Sequence, residues 1–308
     1  MPMENQTIVT EFILLGLSSD PQMQIFLFLV FLVIYLITLF GNIVIMVVIR
    51  TDSHLHTPMY FLLFHLSFVD IWYSSITVPK MLIDFLAEHK TISFNGCIAQ
   101  MFFFFLLAGS EVFILSAMAH DRYVAICDPF HYVEAMNKEI WFQLVSGAWT
   151  NALLMSRLIF CGPNELDHFF CDLTPLIKLS CSDTNNMELV TFWGSVLFTL
   201  PPFLLTIASY VYIIRAILRI PSADGKQKAF STCSSHLIVV TIFYGTLIIV
   251  YLLPKSKVLQ ELNKVFSLCY TVLTPLLNPL IYSLRNKEVK GALRKVIRKG
   301  VLYFAQSG

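Results

Sequence analysis

Charge is what this sequence has least of. Only 13% of its 308 residues are Asp, Glu, Lys or Arg, while 56% are apolar. Soluble domains carry roughly twice that charge, so an ordinary water-soluble globule is excluded. The formal net charge of +1 gives no footing for a nucleic-acid partner. Also missing are a Gly-x-Ser-x-Gly motif, an internal repeat and any low-complexity stretch, which speaks against a hydrolase and a secondary transporter. Before the first apolar run there is no basic stretch, short apolar core and small-residue cleavage site. The sequence therefore predicts no removable signal peptide, and the first helix acts as an uncleaved targeting signal.

What the chain does have is long uncharged runs. Ile25–Ile49 is 25 residues without a charge and Leu189–Ile214 is 26. A bilayer-spanning helix needs about 20. Seven apolar segments emerge: Ile25–Ile49, Pro58–Pro79, Cys97–Ala119, Ile140–Ile159, Leu189–Ile214, Ala229–Pro254 and Val265–Leu284. The expected fold class is therefore all-α: a seven-transmembrane helix bundle with a short amphipathic cytoplasmic helix after the seventh span.

Asn5-Gln6-Thr7 is the only Asn-x-Ser/Thr sequon. On a short tail before a membrane helix it predicts an extracellular N-terminus glycosylated at Asn5. Seven crossings then put the C-terminus in the cytoplasm. Of 21 Lys and Arg, 14 fall on the cytoplasmic side of that topology, as the positive-inside rule requires. After Leu284, Val289, Leu293, Val296 and Ile297 form one helical stripe among Lys290, Arg294, Lys295, Arg298 and Lys299. That pattern predicts a helix lying on the cytoplasmic leaflet. The expected division is an extracellular tail (1–24), a seven-transmembrane domain (25–284), and the amphipathic cytoplasmic helix and tail (285–308).

Cys97, Cys161, Cys171 and Cys181 lie outside in this topology, an even number in an oxidising compartment, and predict two disulfides. Four cysteines allow three pairings. His168 stands three residues before Cys171, but an oxidised cysteine is a poor metal ligand.

Ionisable groups at mid-membrane are costly unless paired. Asp70 and Glu111 sit inside the second and third segments. With Asn42 and the Asn278-Pro279 kink they suit a sodium-like cation, because oxygen ligands match a hard ion. The competing expectation is one protonated acid and no ion. No other cofactor is implied. At the cytoplasmic end of the third segment, Asp121-Arg122-Tyr123 has the makings of a two-state latch.

Several separated motifs, in order, carry a family resemblance: Leu55-His-Thr-Pro-Met-Tyr60, Leu66-Ser-Phe-Val-Asp70, Met118-Ala-His-Asp-Arg-Tyr-Val-Ala-Ile-Cys127, Ser209-Tyr210, Lys228-Ala-Phe-Ser-Thr-Cys-Ser-Ser-His236 and Pro275-Leu-Leu-Asn-Pro-Leu-Ile-Tyr-Ser-Leu-Arg-Asn286. The loop pieces Phe160-Cys-Gly-Pro-Asn164 and His168-Phe-Phe-Cys-Asp172 join them. The chain resembles the odorant receptors of the tetrapod type, a branch of the rhodopsin-like G-protein-coupled receptors, from about Asn5 to Arg298.

The resemblance implies disulfides Cys97–Cys171 and Cys161–Cys181. It implies an activation relay of Asp121, Arg122, Tyr123, Tyr210 and Tyr282, coupled to an olfactory stimulatory G protein that raises cyclic AMP at the plasma membrane. It also implies a ligand pocket of Phe104, Phe105, Ala108 and Gly109 on the third helix, Gly194, Ser195 and Phe198 on the fifth, and Tyr244, Leu247, Ile248 and Tyr251 on the sixth. Tyr244 takes the place of a tryptophan found in other rhodopsin-like receptors. This lining is apolar and uncharged, suited to a small, hydrophobic volatile ligand held by packing with hydrogen bonds from Ser195 or Tyr251. A retinal photoreceptor is excluded, since Val265–Leu284 contains no lysine for a Schiff base.

Two departures stand out. His120 occupies the family's tyrosine position before Asp121. Between Trp149 and Phe160 there are only 10 residues, where the family pattern has more. A fourth helix that short would be strained, so the second expectation is a non-signalling, poorly trafficked family member.

Overall fold

A computed structural model describes residues 9–127, 160, 164–181, 185–253, 257–285, 288–295 and 298, without the side chains of 185–187, 228–229, 231–232, 235, 257–261 and 282–285. The expected fourth span and Asn5 lie outside the described residues. Three long helices come first: α1 (Pro21–Thr51), α2 (Pro58–Leu86) and α3 (Phe94–Cys127). A short loop helix α4 (Leu173–Leu179) precedes α5 (Asn185–Leu218) and α6 (Ala223–Tyr251). A last membrane-length stretch joins α7 (Lys257–Leu268) through a π-turn, Cys269–Leu273, to α8 (Thr274–Arg285). Residues 288–295 are helical again (α9).

Several of these helices overrun the apolar segments that announce them. Hydropathy marks the oil-facing core of a span, whereas the backbone ladder continues until its orphan N–H and C=O groups find caps. α1 starts four residues before Ile25 because the Asp20 side chain accepts from the Gln22 N–H at 3.3 Å and Pro21 occupies the first turn. Thr57 and Pro58 start α2 in the same way, without a side-chain cap bond.

Membrane character shows in the inversion of the usual surface. Phe40 is 72% exposed and Leu197 67%, with Phe26, Leu29, Val33 and Leu204 also outward. Meanwhile Asn42, Asp70, Glu111 and Asn278 are all but fully buried. Outward oil around an inward polar seam is the pattern lipid demands. Five of the described helices are long and apolar enough to cross a bilayer, and His236–Tyr251 adds a shorter apolar stretch. α1 packs against α2 and α8. It comes close to α8 at Gly41, where an added Cβ would stand 3.0 Å from Pro279.

The sequence pattern gives no sign of a small sheet at the disulfide end of the bundle. Within the segment read as a tail, Glu11–Leu14 forms a strand, β1. It pairs antiparallel with β2 (Thr91–Ser93) and parallel with β3 (Glu165–Leu166). Phe12 and Leu14 are fully buried with Cys97, Met101, Phe160, Leu166 and Leu176 in a separate core at this end of the bundle. Gly16 ends the strand at φ 70°, a conformation that costs glycine little. The Gly16 N–H donates to the His168 carbonyl at 3.1 Å, and its own carbonyl accepts from Lys264 Nζ at 3.0 Å. Lys264 also pairs with Asp167 at 2.5 Å.

Candidate functional site

The disulfide Cys97–Cys171 ties the start of α3 to the loop before α4, with Cα atoms 5.4 Å apart. Gln100, one turn along α3, accepts from the Cys171 N–H at 2.9 Å and donates to the Ile76 carbonyl of α2 at 2.9 Å. Cys181 is also disulfide-bonded, and Cys161 lies outside the described residues. Cys127, Cys233 and Cys269 are free thiols.

Beneath that loop, α3, α5 and α6 enclose a cavity of about 90 Å³. Phe104, Phe105, Ala108, Gly109 and Val112 of α3 line it at successive turns, as do Thr191, Gly194, Ser195, Phe198 and Thr199 of α5. These repeats are the three-and-four spacing of one helix face. Leu247 and Tyr251 close it from α6, and Leu173 roofs it from α4. No lining residue is charged. Tyr244 and Ile248 do not line it. Tyr244 lies deeper, fully buried, donating to the Val112 carbonyl at 2.6 Å and packing on Phe203 at 5.3 Å. Val112, Thr191 and Thr199 were not expected here, although Val112 lies four residues from Ala108, and Thr191 and Thr199 lie four from Ser195, on the same helix faces. Nor was Leu173, for which the helical pattern gives no signal.

Above the cavity the loop is polar and buried, with Asp172 and His168 both out of solvent contact. The Tyr251 hydroxyl donates to Asp172 Oδ1 at 2.8 Å, and the Leu173 N–H donates to the same oxygen at 2.7 Å. Burial pushes the Asp172 carboxyl up to about 6, against the lowering effect of those two hydrogen bonds. His168, stacked on Phe169 and edge-on to Phe170, is pushed down to about 3 by burial and by the nearby Lys264 charge.

Deeper in the bundle, Asn278 Nδ2 donates to both Asp70 oxygens, at 3.1 and 2.9 Å. Asn42 Nδ2 donates to the Thr38 and Pro275 carbonyls. Both Glu111 oxygens, Asn42 Oδ1 and Asn278 Oδ1 are buried without a hydrogen bond. Glu111 stands close enough to Asp70 for the two to repel. Four orphaned oxygens beside a second carboxyl fit a small hard cation. Among the described residues no cluster of three or more His, Cys, Asp or Glu forms a transition-metal site.

At the opposite end from the disulfide, Asp121 and Arg122 are both buried. Arg122 lies within electrostatic reach of Tyr210, Cys233 and His236. The Tyr210 hydroxyl meets His236 Nδ1 at 2.5 Å. Tyr123 packs on Tyr212 at 5.6 Å and on the unusual His120 at 6.0 Å. The Tyr282 side chain lies outside the described residues.

A sequence model of the family described as Olfactory receptor matches residues 31–299. Olfactory receptor 10A7 of Homo sapiens is 50% identical over 307 residues, covering 97% of each chain. Olfactory receptor 5AP2 of Mus musculus is also 50% identical over 307 residues, with the same coverage. Olfactory receptor 10A3 of Homo sapiens is 48% identical over 310 residues, covering 98% of this chain and 99% of its own.

Proposed function

This chain belongs to the olfactory receptor family, and on that premise we propose that it binds a small, neutral, hydrophobic volatile molecule in the cavity of α3, α5 and α6. As a member of that family it is a membrane-embedded G-protein-coupled receptor of seven-helix architecture, and not an enzyme. The observation that carries the ligand reading is the uncharged lining, aromatic and aliphatic with the hydroxyls of Thr191, Ser195, Thr199 and Tyr251. Drug-sized ligands need roughly 300 Å³ or more, so a cavity of about 90 Å³ favours a compact guest.

Binding shifts the helices, and Asp121-Arg122-Tyr123 with Tyr210 and Tyr282 passes the change to a heterotrimeric stimulatory G protein that raises cyclic AMP. The N-terminus faces outside, glycosylated at Asn5, and the C-terminus faces the cytoplasm at the plasma membrane. Two disulfides, Cys97–Cys171 and Cys161–Cys181, hold the outer loop. Oxygens of Asp70, Glu111, Asn42 and Asn278 hold a sodium ion.

The test is a cyclic AMP reporter in cells expressing the full chain, challenged with uncharged volatiles, alongside surface labelling and Asn5 glycan maturation. A response to apolar volatiles is expected. A mature, surface-labelled chain answering only charged ligands would overturn the ligand reading. Immature glycan and no surface label would point to the trafficking defect expected from the short Trp149–Phe160 interval.

A further inference from the structure

A second cavity lies at the opposite end of the bundle, between the last turn of α1, the turn Ser53–Leu55 and the start of α2. Its volume is about 490 Å³, several times that of the first cavity. Its chemistry is two-sided. Arg50, His56 and His65 bring nitrogen donors, and Leu55, Phe61 and Phe64 bring apolar surface. The His65 ring sits against Phe61 at 4.4 Å and Phe64 at 5.7 Å, so the apolar wall is continuous with the donors. Phe61 is 54% exposed.

Charge at this notch is of one sign. The single acid of the connecting loop, Asp52, is turned away into an ion pair with Lys295 of α9 at 3.1 Å. Neither the Arg50 guanidinium nor the His56 ring has a side-chain partner among the described residues. α2 begins at Pro58 with no side-chain cap, so its first-turn N–H groups add positive potential on the same side.

We propose that this notch holds an anionic membrane phospholipid, its phosphorylated headgroup on Arg50 and His56 and its first acyl carbons against Phe61 and Phe64. The proposal rests on the reading above that this end faces the cytoplasm, where anionic lipids collect and basic pockets between helices take their headgroups. A charge of this kind in a shaped, half-apolar recess distinguishes the site from the amphipathic α9. There the exposed Lys290 and Arg294, with Arg298 further along the chain, offer lipid an open surface rather than a recess.

The experiment uses the full receptor in nanodiscs of phosphatidylcholine with a minor fraction of phosphatidylinositol bisphosphate, with retained lipid counted by native mass spectrometry. Arg50→Gln with His56→Gln is expected to lower retention of the first inositol lipid by at least about fivefold, the worth of the one arginine charge removed. Arg50→Lys keeps most of it, and Arg298→Gln leaves that first lipid in place. An unchanged thermal midpoint shows that the variants are folded. Equal retention by the double variant, equal retention of phosphatidylcholine, or displacement by soluble inositol trisphosphate would each overturn the proposal. Nanodiscs expose both leaflets alike, so an inverted topology, read separately from the Asn5 glycan, cannot mimic these failures.

Discussion

Tyr251, in the last turn of α6, donates its hydroxyl to Asp172 in the outer loop at 2.8 Å. The contact joins a wall of the cavity to its roof through a carboxyl that burial pushes up to about 6. Its neighbour His168 is pushed the other way, to about 3. Asp172, raised above its unfolded value of 3.8, stabilises the fold fully below that pH and loses the contribution as pH rises through about 6. His168, lowered from 6.5, stabilises fully above that pH and loses the contribution as pH falls toward 3. Between about 4 and 6 the two slopes oppose each other. The thermal midpoint of the purified receptor is therefore expected to change little across that window. Asp172→Asn should leave a midpoint that rises with pH up to about 6.5, and His168→Phe one that falls between about 4 and 6. The same slope in both variants would contradict the assignment.

The bundle was legible in the sequence because lipid writes strong rules: long uncharged runs, buried polar exceptions and basic residues on one side. Phe104, Gly109, Ser195 and Tyr251 fell into one cavity because helical spacing aligns them once the spans are known. Tyr244 and Ile248 stand off the lining, since a shift of a few residues along α6 turns a side chain away or carries it to a deeper layer. Strand β1 was not legible. Four residues, Glu11–Leu14, carry too little pattern, and their partners at Thr91–Ser93 and Glu165–Leu166 are distant in sequence. Only the folded loops reveal that pairing.

Strand β1 should matter to folding despite its place in a tail. Phe12 is fully buried, with Phe160 edge-on at 5.2 Å and Phe94 at 6.1 Å. Removing such a ring costs about 3–5 kcal/mol. Phe12→Ala is expected to cut surface labelling several-fold, whereas Leu15→Ala, at an exposed position just past the strand, should not. Equal surface levels for the two variants would show that the outer core forms without the strand.

Filling the cavity should weaken the response without harming the fold. A Cβ added at Gly194 meets no atom within 4 Å, so the space it enters is the cavity itself. Gly194→Leu also removes a helix-interior glycine, which favours α5 by up to about 1 kcal/mol. The expected result is normal surface labelling with the concentration for half-maximal cyclic AMP raised at least about tenfold, roughly 1.4 kcal/mol of lost affinity. An unaltered dose–response curve would place the ligand elsewhere.

Asp70 and Glu111 form a buried carboxyl pair that needs a compensating charge. The Asp70 oxygens are satisfied by Asn278, yet both Glu111 oxygens, Asn42 Oδ1 and Asn278 Oδ1 face inward without donors. An anion pair left that way in a low-dielectric interior is strongly destabilising, so a proton or a cation must compensate it. A cation predicts that exchanging choline for sodium raises the thermal midpoint of the receptor. The stabilisation grows with concentration, reaching about 2.7 kcal/mol at a hundred times Kd. Glu111→Gln supplies the missing donor and removes one charge, so it should raise the midpoint in choline and lose the sodium response. A proton alone predicts equal midpoints in sodium and choline at fixed pH, and that result would remove sodium from the site.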